Sequence, residues 1–403
     1  MKSIINKIYP FIYLVFCFAL PLDRYAPALP NIILIFLLGS FPFIIKKEDF
    51  KILKRKEVLL LGLLITYVVI NSMLFQDFTQ DLKFTQKIAS TLLPVILFLP
   101  IKYTNNLKIS LIISVLCCIL YSLFQICIYY INSGSFEFSS GGVINEILPV
   151  ERLYLGFICV LSVVLSISLL RKNQVKYRCL YFNILLCSIF VFLIVSRIAV
   201  ILLLILFFIQ IFYTRYRRKF AMFFFLFIAV ATIAFTTNKN LNQRFFYSQS
   251  TQKQKGYIEL LKQWEPRFLI WDCSYNIITT NDIWITGLGF SKTKDYLVSC
   301  YKEVVKQDRR RKYFVESRFN THNQFIDFWL SAGVLSTIIF MCFFAFLFLK
   351  NRKLFFQTAL ILSLLLFSSV ENIFHRQLGC YLFGIILVFL VNEDDKKSST
   401  LQG

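Results

Sequence analysis

The sequence predicts an all-α polytopic membrane protein with about twelve transmembrane helices and a large, partly helical extracytoplasmic loop between spans nine and ten. The chain has 403 residues, of which 57% are hydrophobic and 46 are Phe, and this composition does not describe a water-exposed surface. Apolar runs of membrane-spanning length recur from Ile8 to Val391, with short polar interruptions between them. The basic residues concentrate in those interruptions.

The net charge of +22 would also suit a nucleic-acid-binding protein. However, the basic residues form short clusters between apolar runs, without a basic surface interleaved with aromatic residues. We therefore expect the bilayer, and no nucleic acid, as a partner. The first apolar run follows Lys2 and Lys7 and lacks an A-x-A cleavage site, so we expect a retained first helix rather than a signal peptide.

Basic clusters in short connections set the predicted topology, because Lys and Arg favour the cytoplasmic side. The clearest clusters are residues 46–56, 171–178, 215–219 and 350–353. The spans counted between them are residues 8–22, 28–45, 57–75, 88–101, 109–131, 152–170, 179–196, 198–213, 220–237, 324–349, 354–370 and 376–391. Parity then places both termini in the cytoplasm.

The segment 179–213 must contain two spans. As one helix it would extend roughly 50 Å, which exceeds the hydrocarbon core, and both flanking clusters are predicted to be cytoplasmic. Its only charged residue, Arg197, marks the turn between them and should lie near the extracytoplasmic face. An Arg this close to the hydrocarbon is costly and often marks a pathway or a site.

The predicted organisation is therefore spans one to nine in residues 1–237, a loop in 238–323, and spans ten to twelve with a short cytoplasmic tail in 324–403. The loop contains fifteen Lys or Arg against eight Asp or Glu. This excess suits either an anionic substrate or a surface facing solvent or lipid head groups. Cys273 and Cys300, the two cysteines in the loop, could form a disulfide, but their spacing does not establish one.

The chain has two histidines, His322 and His375, and the topology places both at the extracytoplasmic boundary. Thr321 and Gln324 have the spacing of a capping box, which predicts Thr321 as N-cap and His322 as the first helical residue. The helix dipole would keep that imidazole neutral, as a general base requires. The alternative is an ordinary interfacial residue. We assign no role to His375.

Pro266 predicts a helix start that places Arg267 in the first turn, and the helix should end near residues 281–282. Unpaired N–H groups there favour an anion, and Arg adds a two-pronged donor for phosphate. A salt bridge with Glu265 or Asp272 is the alternative.

The loop contains no sequence spacing typical of a metal site, so we predict that the protein uses neither a metal nor another cofactor. The basic run 309–312 is interpreted as a solvated or lipid-contacting face. Gly287-Leu288-Gly289 is interpreted as a turn and not as a nucleotide fingerprint.

Taken together, four short patches resemble the superfamily of bacterial O-antigen ligases and O-antigen polymerases. They are Ser196-Arg197; Arg267 and Trp271 followed by Thr286-Gly287-Leu288-Gly289-Phe290; His322-Asn323-Gln324-Phe325 with Gly333; and Val370-Glu371. The resemblance is strongest in the C-terminal half. Ser336 departs from it, because members often have a second Gly after Gly333.

This resemblance implies a multi-pass protein of the bacterial inner membrane whose active site faces the periplasm. The reaction would be metal-independent and inverting. It would transfer a glycan from an undecaprenyl pyrophosphate carrier to a hydroxyl acceptor, such as lipid A core or a carrier-linked glycan, in lipopolysaccharide or surface polysaccharide biosynthesis. His322 would be the general base, and Arg197 and Arg267 would bind the pyrophosphate. Further candidates for substrate binding are Arg318, Arg152 and Glu371.

Three alternatives stay open. A ligase and a repeat-unit polymerase of the same superfamily are not separated by the sequence, although the His322-Asn323 and Glu371 patches favour the ligase. A polysaccharide flippase or other transporter is the more remote reading, because the sequence lacks the internal repeats and midplane charges typical of transporters. A scaffold would leave His322 and Arg267 replaceable.

Overall fold

The structure is a computed structural model that describes residues 2–22, 24–134, 141–171, 178–214, 217–237, 265–280 and 283–392. The first part of the predicted loop, the predicted helix end at 281–282, the middle of the basic cluster 171–178 and the C-terminal tail lie outside the described residues. All regular secondary structure within those residues is helical.

The first half of the chain forms a series of helices, most of them apolar. They are α1 (Lys2–Ala19), α2 (Leu29–Ile44), α3 (Lys56–Phe75), α4 (Phe78–Ser90), α5 (Leu93–Phe98), α6 (Thr104–Ser133), α7 (Gly141–Ile147), α8 (Arg152–Arg171), α9 (Arg178–Leu193), α10 (Arg197–Phe212) and α11 (Arg217–Thr237).

The second half contains the described part of the loop and the last apolar helices. They are α12 (Pro266–Thr280), α13 (Phe290–Val304), α14 (Asp308–Ser317), α15 (Gln324–Ala332), α16 (Val334–Asn351), α17 (Phe355–Ser368) and α18 (Gln377–Asn392). A single 3₁₀ turn, Ile373–His375, precedes α18.

Five helical segments of the described chain are long and apolar enough to cross a bilayer, which is consistent with a helical membrane protein. They are Ile4–Leu22, Lys56–Phe75, Thr104–Ser133, Arg152–Arg171 and Val334–Asn351. Five further apolar helices are shorter: Leu29–Ile44, Arg178–Leu193, Arg197–Phe212, Phe355–Ser368 and Gln377–Asn392. The count of twelve spans stays a prediction.

The predicted fourth span, 88–101, is not one helix. α4 ends at Ser90, and α5 is only six residues long. Pro94 lies in the first turn of α5, where its missing N–H is tolerated, whereas inside a continuous helix it would remove a hydrogen bond. α4 is amphipathic and carries Asp81 on its buried side.

The predicted tenth span, 324–349, is broken at Gly333 into α15 and α16. Gly333 has φ 82°, and a Cβ there would lie 1.7 Å from the carbonyl oxygen of Ile285. Only glycine suits this crossing of two backbones. Ser336, the departure from the family pattern, closes the break, because its hydroxyl lies 2.9 Å from the Phe328 carbonyl oxygen and 2.6 Å from that of Gly333.

Phenylalanine rings join α15, α16, the 3₁₀ turn and α18. Phe340 of α16 lies 5.1 Å from Phe328 of α15 and 5.8 Å from Phe374, measured between ring centroids. Phe374 in turn lies 5.0 Å from Phe383 of α18. Such buried edge and tilted contacts add packing energy beyond burial. They fix the 3₁₀ turn, and with it His375, against α15.

The described part of the loop has its own apolar core, formed by α12, α13 and α14 around residues such as Ile270, Leu297 and Phe314. A disulfide between Cys273 and Cys300 links α12 to α13, so the bond that the spacing left open is present.

Asp81 attaches the loop core to α4. Its carboxylate accepts hydrogen bonds from the backbone N–H groups of Phe290, at 3.0 Å, and Ser291, at 2.8 Å. Both N–H groups belong to the first turn of α13, where an acidic side chain satisfies unpaired donors and the helix dipole. The loop core is thereby held against α4 at one side of the helical bundle.

Candidate active site

His322 lies just before α15 and not within it. Asn323 is the N-cap, and its side-chain oxygen accepts from the N–H groups of Phe325 and Ile326. The prediction that Thr321 caps the helix and that His322 opens it is therefore wrong. The physical reason is tertiary, because the Thr321 hydroxyl lies 3.0 Å from Oδ1 of Asn372 and is used in that contact.

The His322 ring pairs with Glu371. Nδ1 lies 3.2 Å from Glu371 Oε2, and the side chains are 26% and 10% exposed. Burial alone would raise the pKa of the Glu371 carboxyl, but the hydrogen bond to His322 and the charges of His322, Arg267 and Arg376 hold it below its usual range. The contact with this carboxylate orients the ring, and within the described chain Nε2 makes no hydrogen bond.

Arg197 and Arg267 meet at one carboxylate. Nη1 of Arg197 lies 2.7 Å from Oε2 of Glu265, and Nη1 of Arg267 lies 3.0 Å from Oε1. Arg267 follows Pro266 in the first turn of α12, as predicted, and the alternative salt bridge to Glu265 is also present. Nη2 of Arg267 donates to the carbonyl of Val370, next to Glu371. Two guanidiniums are thus held together beside the His322–Glu371 pair.

Arg152 lies close to this group. It opens α8, is 5% exposed and interacts electrostatically with Arg197. One turn further along α8, a Cβ on Gly156 would lie 2.4 Å from the Ser196 hydroxyl oxygen and 2.9 Å from Ala199. Glycine at this position lets α8 touch the start of α10, and this close approach brings Arg152 near Arg197.

Arg318 takes a different position. It ends α14 with φ 45°, and its guanidinium pairs with Asp295 at an exposed place on the loop core. In the described residues no contact joins it to His322, Arg197 or Arg267. The structure therefore brings together five of the six candidates from the sequence and leaves this one apart.

A buried polar network lies behind His322. Asp327 is fully buried, with Oδ2 at 2.8 Å from Nε2 of His375 and Oδ1 at 2.9 Å from Nδ2 of Asn372. Oδ1 of Asn372 accepts from the backbone N–H of Asn323 at 2.7 Å and from the Thr321 hydroxyl. Asn372 thus connects the residues on both sides of His322 to the segment that carries Glu371.

Two further contacts complete this arrangement. The indole N–H of Trp271 on α12 donates to the Thr321 carbonyl at 2.9 Å, which ties the helix of Arg267 to the His322 segment. Gln324 accepts from the Phe374 N–H at 3.1 Å. Sequence reasoning gave no role to Asp327, Asn372 or His375, although Asp327 is a charged residue near the start of a predicted span and the other two lie between predicted spans or at the edge of one.

Arg376 is another charged residue that the sequence analysis missed. It precedes α18, lies 2.5 Å from Glu151 through Nη2, and its charge acts on Glu371. In the part of the chain that the structure describes, no group of three or more His, Cys, Asp or Glu side chains is arranged to hold a metal ion. Metal independence stays a prediction.

Residues 182–341 match the family model described as O-Antigen ligase. The match runs from α9 into α16 and includes Arg197, Arg267 and His322, while Arg152 and Glu371 lie outside it. No curated protein matches the chain. The match supports a function of the O-antigen ligase or polymerase type, and the predicted resemblance of this helical membrane protein to the O-antigen ligase superfamily is confirmed over residues 182–341.

Proposed function

We propose that this protein transfers a glycan from an undecaprenyl pyrophosphate carrier to a hydroxyl acceptor such as lipid A core, with the site facing the periplasm. The observation that carries the proposal is the placement of a His322–Glu371 pair beside two arginines that share Glu265. A base held by a carboxylate suits deprotonation of a hydroxyl, and paired guanidiniums suit a diphosphate. The family match, which includes His322, Arg197, Arg267 and Glu265, supports it.

His322 would take the acceptor proton on Nε2 as the acceptor oxygen forms its bond to the anomeric carbon of the donor sugar. The bond from that carbon to the carrier phosphate breaks, and the carrier pyrophosphate leaves with the bonding electrons. Attack opposite the leaving group inverts the anomeric centre. Glu371, ionised beside His322, stabilises the imidazolium that forms.

Arg197 and Arg267 would bind the pyrophosphate and stabilise its growing negative charge without a metal ion. Nε of Arg267 is buried and has no hydrogen-bond partner in the described residues, so this arginine has a donor left for an anion. Glu265 keeps both guanidiniums in place.

The disulfide supports placement of the loop on the periplasmic side. Disulfides persist in oxidising compartments and are rare in the cytosol. The bond between Cys273 and Cys300 lies in the core that carries Arg267 on α12. The proposed site, which includes Arg267, would then face the same compartment.

A reporter fused between α13 and α14 is expected to be periplasmic, whereas one fused within 46–56 or 350–353 should be cytoplasmic, because charge asymmetry and parity fix the orientation. Alkaline phosphatase and fluorescent-protein fusions give opposite signals on the two sides. A cytoplasmic signal from the fusion between α13 and α14 would contradict the proposed side of the active site.

Removal of the gene is expected to separate the candidate activities. If the protein is a ligase, as we propose, lipid A core should carry no glycan, and the carrier-linked glycan should accumulate on the periplasmic side. A single attached repeat would instead identify a polymerase. Accumulation of the carrier-linked glycan on the cytoplasmic side would identify a transporter and contradict the proposal. Electrophoresis of lipopolysaccharide and a carrier-exposure assay provide these readings.

A further inference from the structure

A polar cleft opens beside the candidate active site. Its volume is about 730 Å³, within the range of roughly 300–1,000 Å³ that is usual for ligand pockets. Its charged and aromatic lining residues are Arg24, Glu146, Glu151, Tyr313 and Arg376. They come from the segment after α1, from α7 and the turn before α8, from α14 and from the start of α18.

The cleft is continuous with the site through the Glu151–Arg376 pair. Glu151 lines the cleft and directly precedes Arg152, whereas Arg376 lines it and acts electrostatically on Glu371. These two side chains contact each other at 2.5 Å. A ligand in the cleft therefore lies next to the group that holds His322 and the arginines.

A row of rings leads from the cleft towards the proposed base. The Tyr313 ring, 53% exposed, has its centroid 5.3 Å from that of Phe319, and Phe319 lies 5.8 Å from the His322 ring. Aromatic faces offer apolar, polarisable contact area. The faces of sugar rings present C–H groups that pack on such a surface, while their edges present hydroxyls.

The polar groups of the cleft suit hydroxyls better than phosphate. Its charges are balanced between two arginines and two glutamates. Arg24 donates through Nη1 to the Asn145 carbonyl at 2.6 Å, and Arg376 is held by Glu151. Carboxylates repel a phosphate but accept hydrogen bonds from hydroxyls. The pyrophosphate chemistry belongs with Arg197 and Arg267, where the positive charge is greater.

We propose that this cleft binds the saccharide chain of a transferase substrate, with a sugar ring on Tyr313 and with Glu146 and Glu151 accepting from its hydroxyls. This inference rests on the proposed function, because it places the saccharide beside the group that would carry out the transfer. It adds the location and the chemical class of a binding site that is separate from the pyrophosphate site.

The test measures binding of a carrier-free oligosaccharide, released by mild acid from the cell's own carrier-linked glycan, to the purified full-length protein. Tyr313→Ala should weaken binding roughly tenfold, because it removes the aromatic contact. Tyr313→Phe keeps the ring and should bind within about threefold of wild type. Tyr275→Ala removes an exposed tyrosine of α12 that lies outside the cleft and should leave binding unchanged.

Glu146→Gln is a second variant that keeps shape and removes an exposed acceptor charge, and a severalfold weakening is expected. His322→Ala should bind the oligosaccharide normally while losing transfer. If Tyr313→Ala and Glu146→Gln both bind like wild type while His322→Ala is inactive, the cleft proposal is wrong and the proposed function stands. If His322→Ala retains transfer while Tyr313→Ala loses binding, the proposed mechanism fails and the cleft stands. Binding of anionic phospholipid head groups, without binding of the oligosaccharide, would identify a lipid site and overturn the saccharide assignment.

Discussion

Replacement of His322 by alanine is expected to lower glycan transfer roughly 10²- to 10⁴-fold, the usual loss when a positioned general base is removed. Protein abundance should stay near normal. Asn323 provides the cap of α15, and Asn320 accepts from the His322 backbone N–H, so the local fold does not depend on the imidazole. The measurement is transfer of carrier-linked glycan by membranes that contain equal amounts of each variant.

His322→Asn is the sharper companion to this variant. The residue has φ 45°, a conformation that Asn tolerates better than Ala, so the backbone is kept while the base is removed. Both variants should be inactive, whereas Arg318→Ala, which removes an exposed arginine paired with Asp295, should have a small effect. Near-normal transfer by His322→Asn at equal protein level would show that His322 is not the base.

The start of α12 shows which features local rules can predict. Pro266 has no N–H to lose and a preset φ, so it fixes the first turn and the position of Arg267 without help from distant residues. The capping box at Thr321 is an equally local pattern, but its prediction of Thr321 as the N-cap was wrong. Thr321 is drawn to Asn372, which lies 51 residues further along the chain, and Asn323 becomes the cap instead. A contact with a residue this far along the chain cannot be predicted from the local sequence pattern.

The break in the predicted tenth span has a tertiary origin, whereas the break in the fourth has a local one at Pro94. The length of an apolar run predicts how long a helix can be. It does not predict whether another backbone segment crosses that helix. The crossing of Ile285 at Gly333 depends on where the loop core docks, and that docking depends on Asp81 and the first turn of α13. Gly333 itself was the only local signal, because an isolated glycine in a helical pattern often marks a close approach.

Candidate site residues could be predicted singly but not as a group. Arg197, Arg267 and His322 each stand out as a charged or titratable residue next to an apolar run. Their connections pass through Glu265, Glu371 and Asn372, and these links form only when α10, α12 and the segment before α18 meet. Parity predicts that these residues lie on one side of the membrane. It does not predict the contacts that join them.

Asp327→Ala is expected to destabilise the protein by several kcal/mol, because each buried donor that loses its acceptor costs roughly 1–3 kcal/mol. Asp327 is fully buried and accepts from His375 Nε2 and Asn372 Nδ2. Its removal leaves both donors buried without an acceptor, at a cost for each. Thermal unfolding of the purified protein in detergent measures the loss, with Asp295→Ala, an exposed carboxylate paired with Arg318, as a control that should change little.

Asp327→Asn distinguishes the contribution of the side-chain shape from that of its charge in the same network. The amide keeps the volume and one acceptor oxygen, which can serve His375 or Asn372 but not both as strongly as a carboxylate, so an intermediate loss is expected. Asn372 holds the Asn323 N–H, and its neighbour Glu371 holds His322. Loosening the network should therefore also lower the transfer activity of the protein that stays folded. Wild-type stability of Asp327→Ala would show that His375 and Asn372 find other partners and that the network does not hold the two segments together.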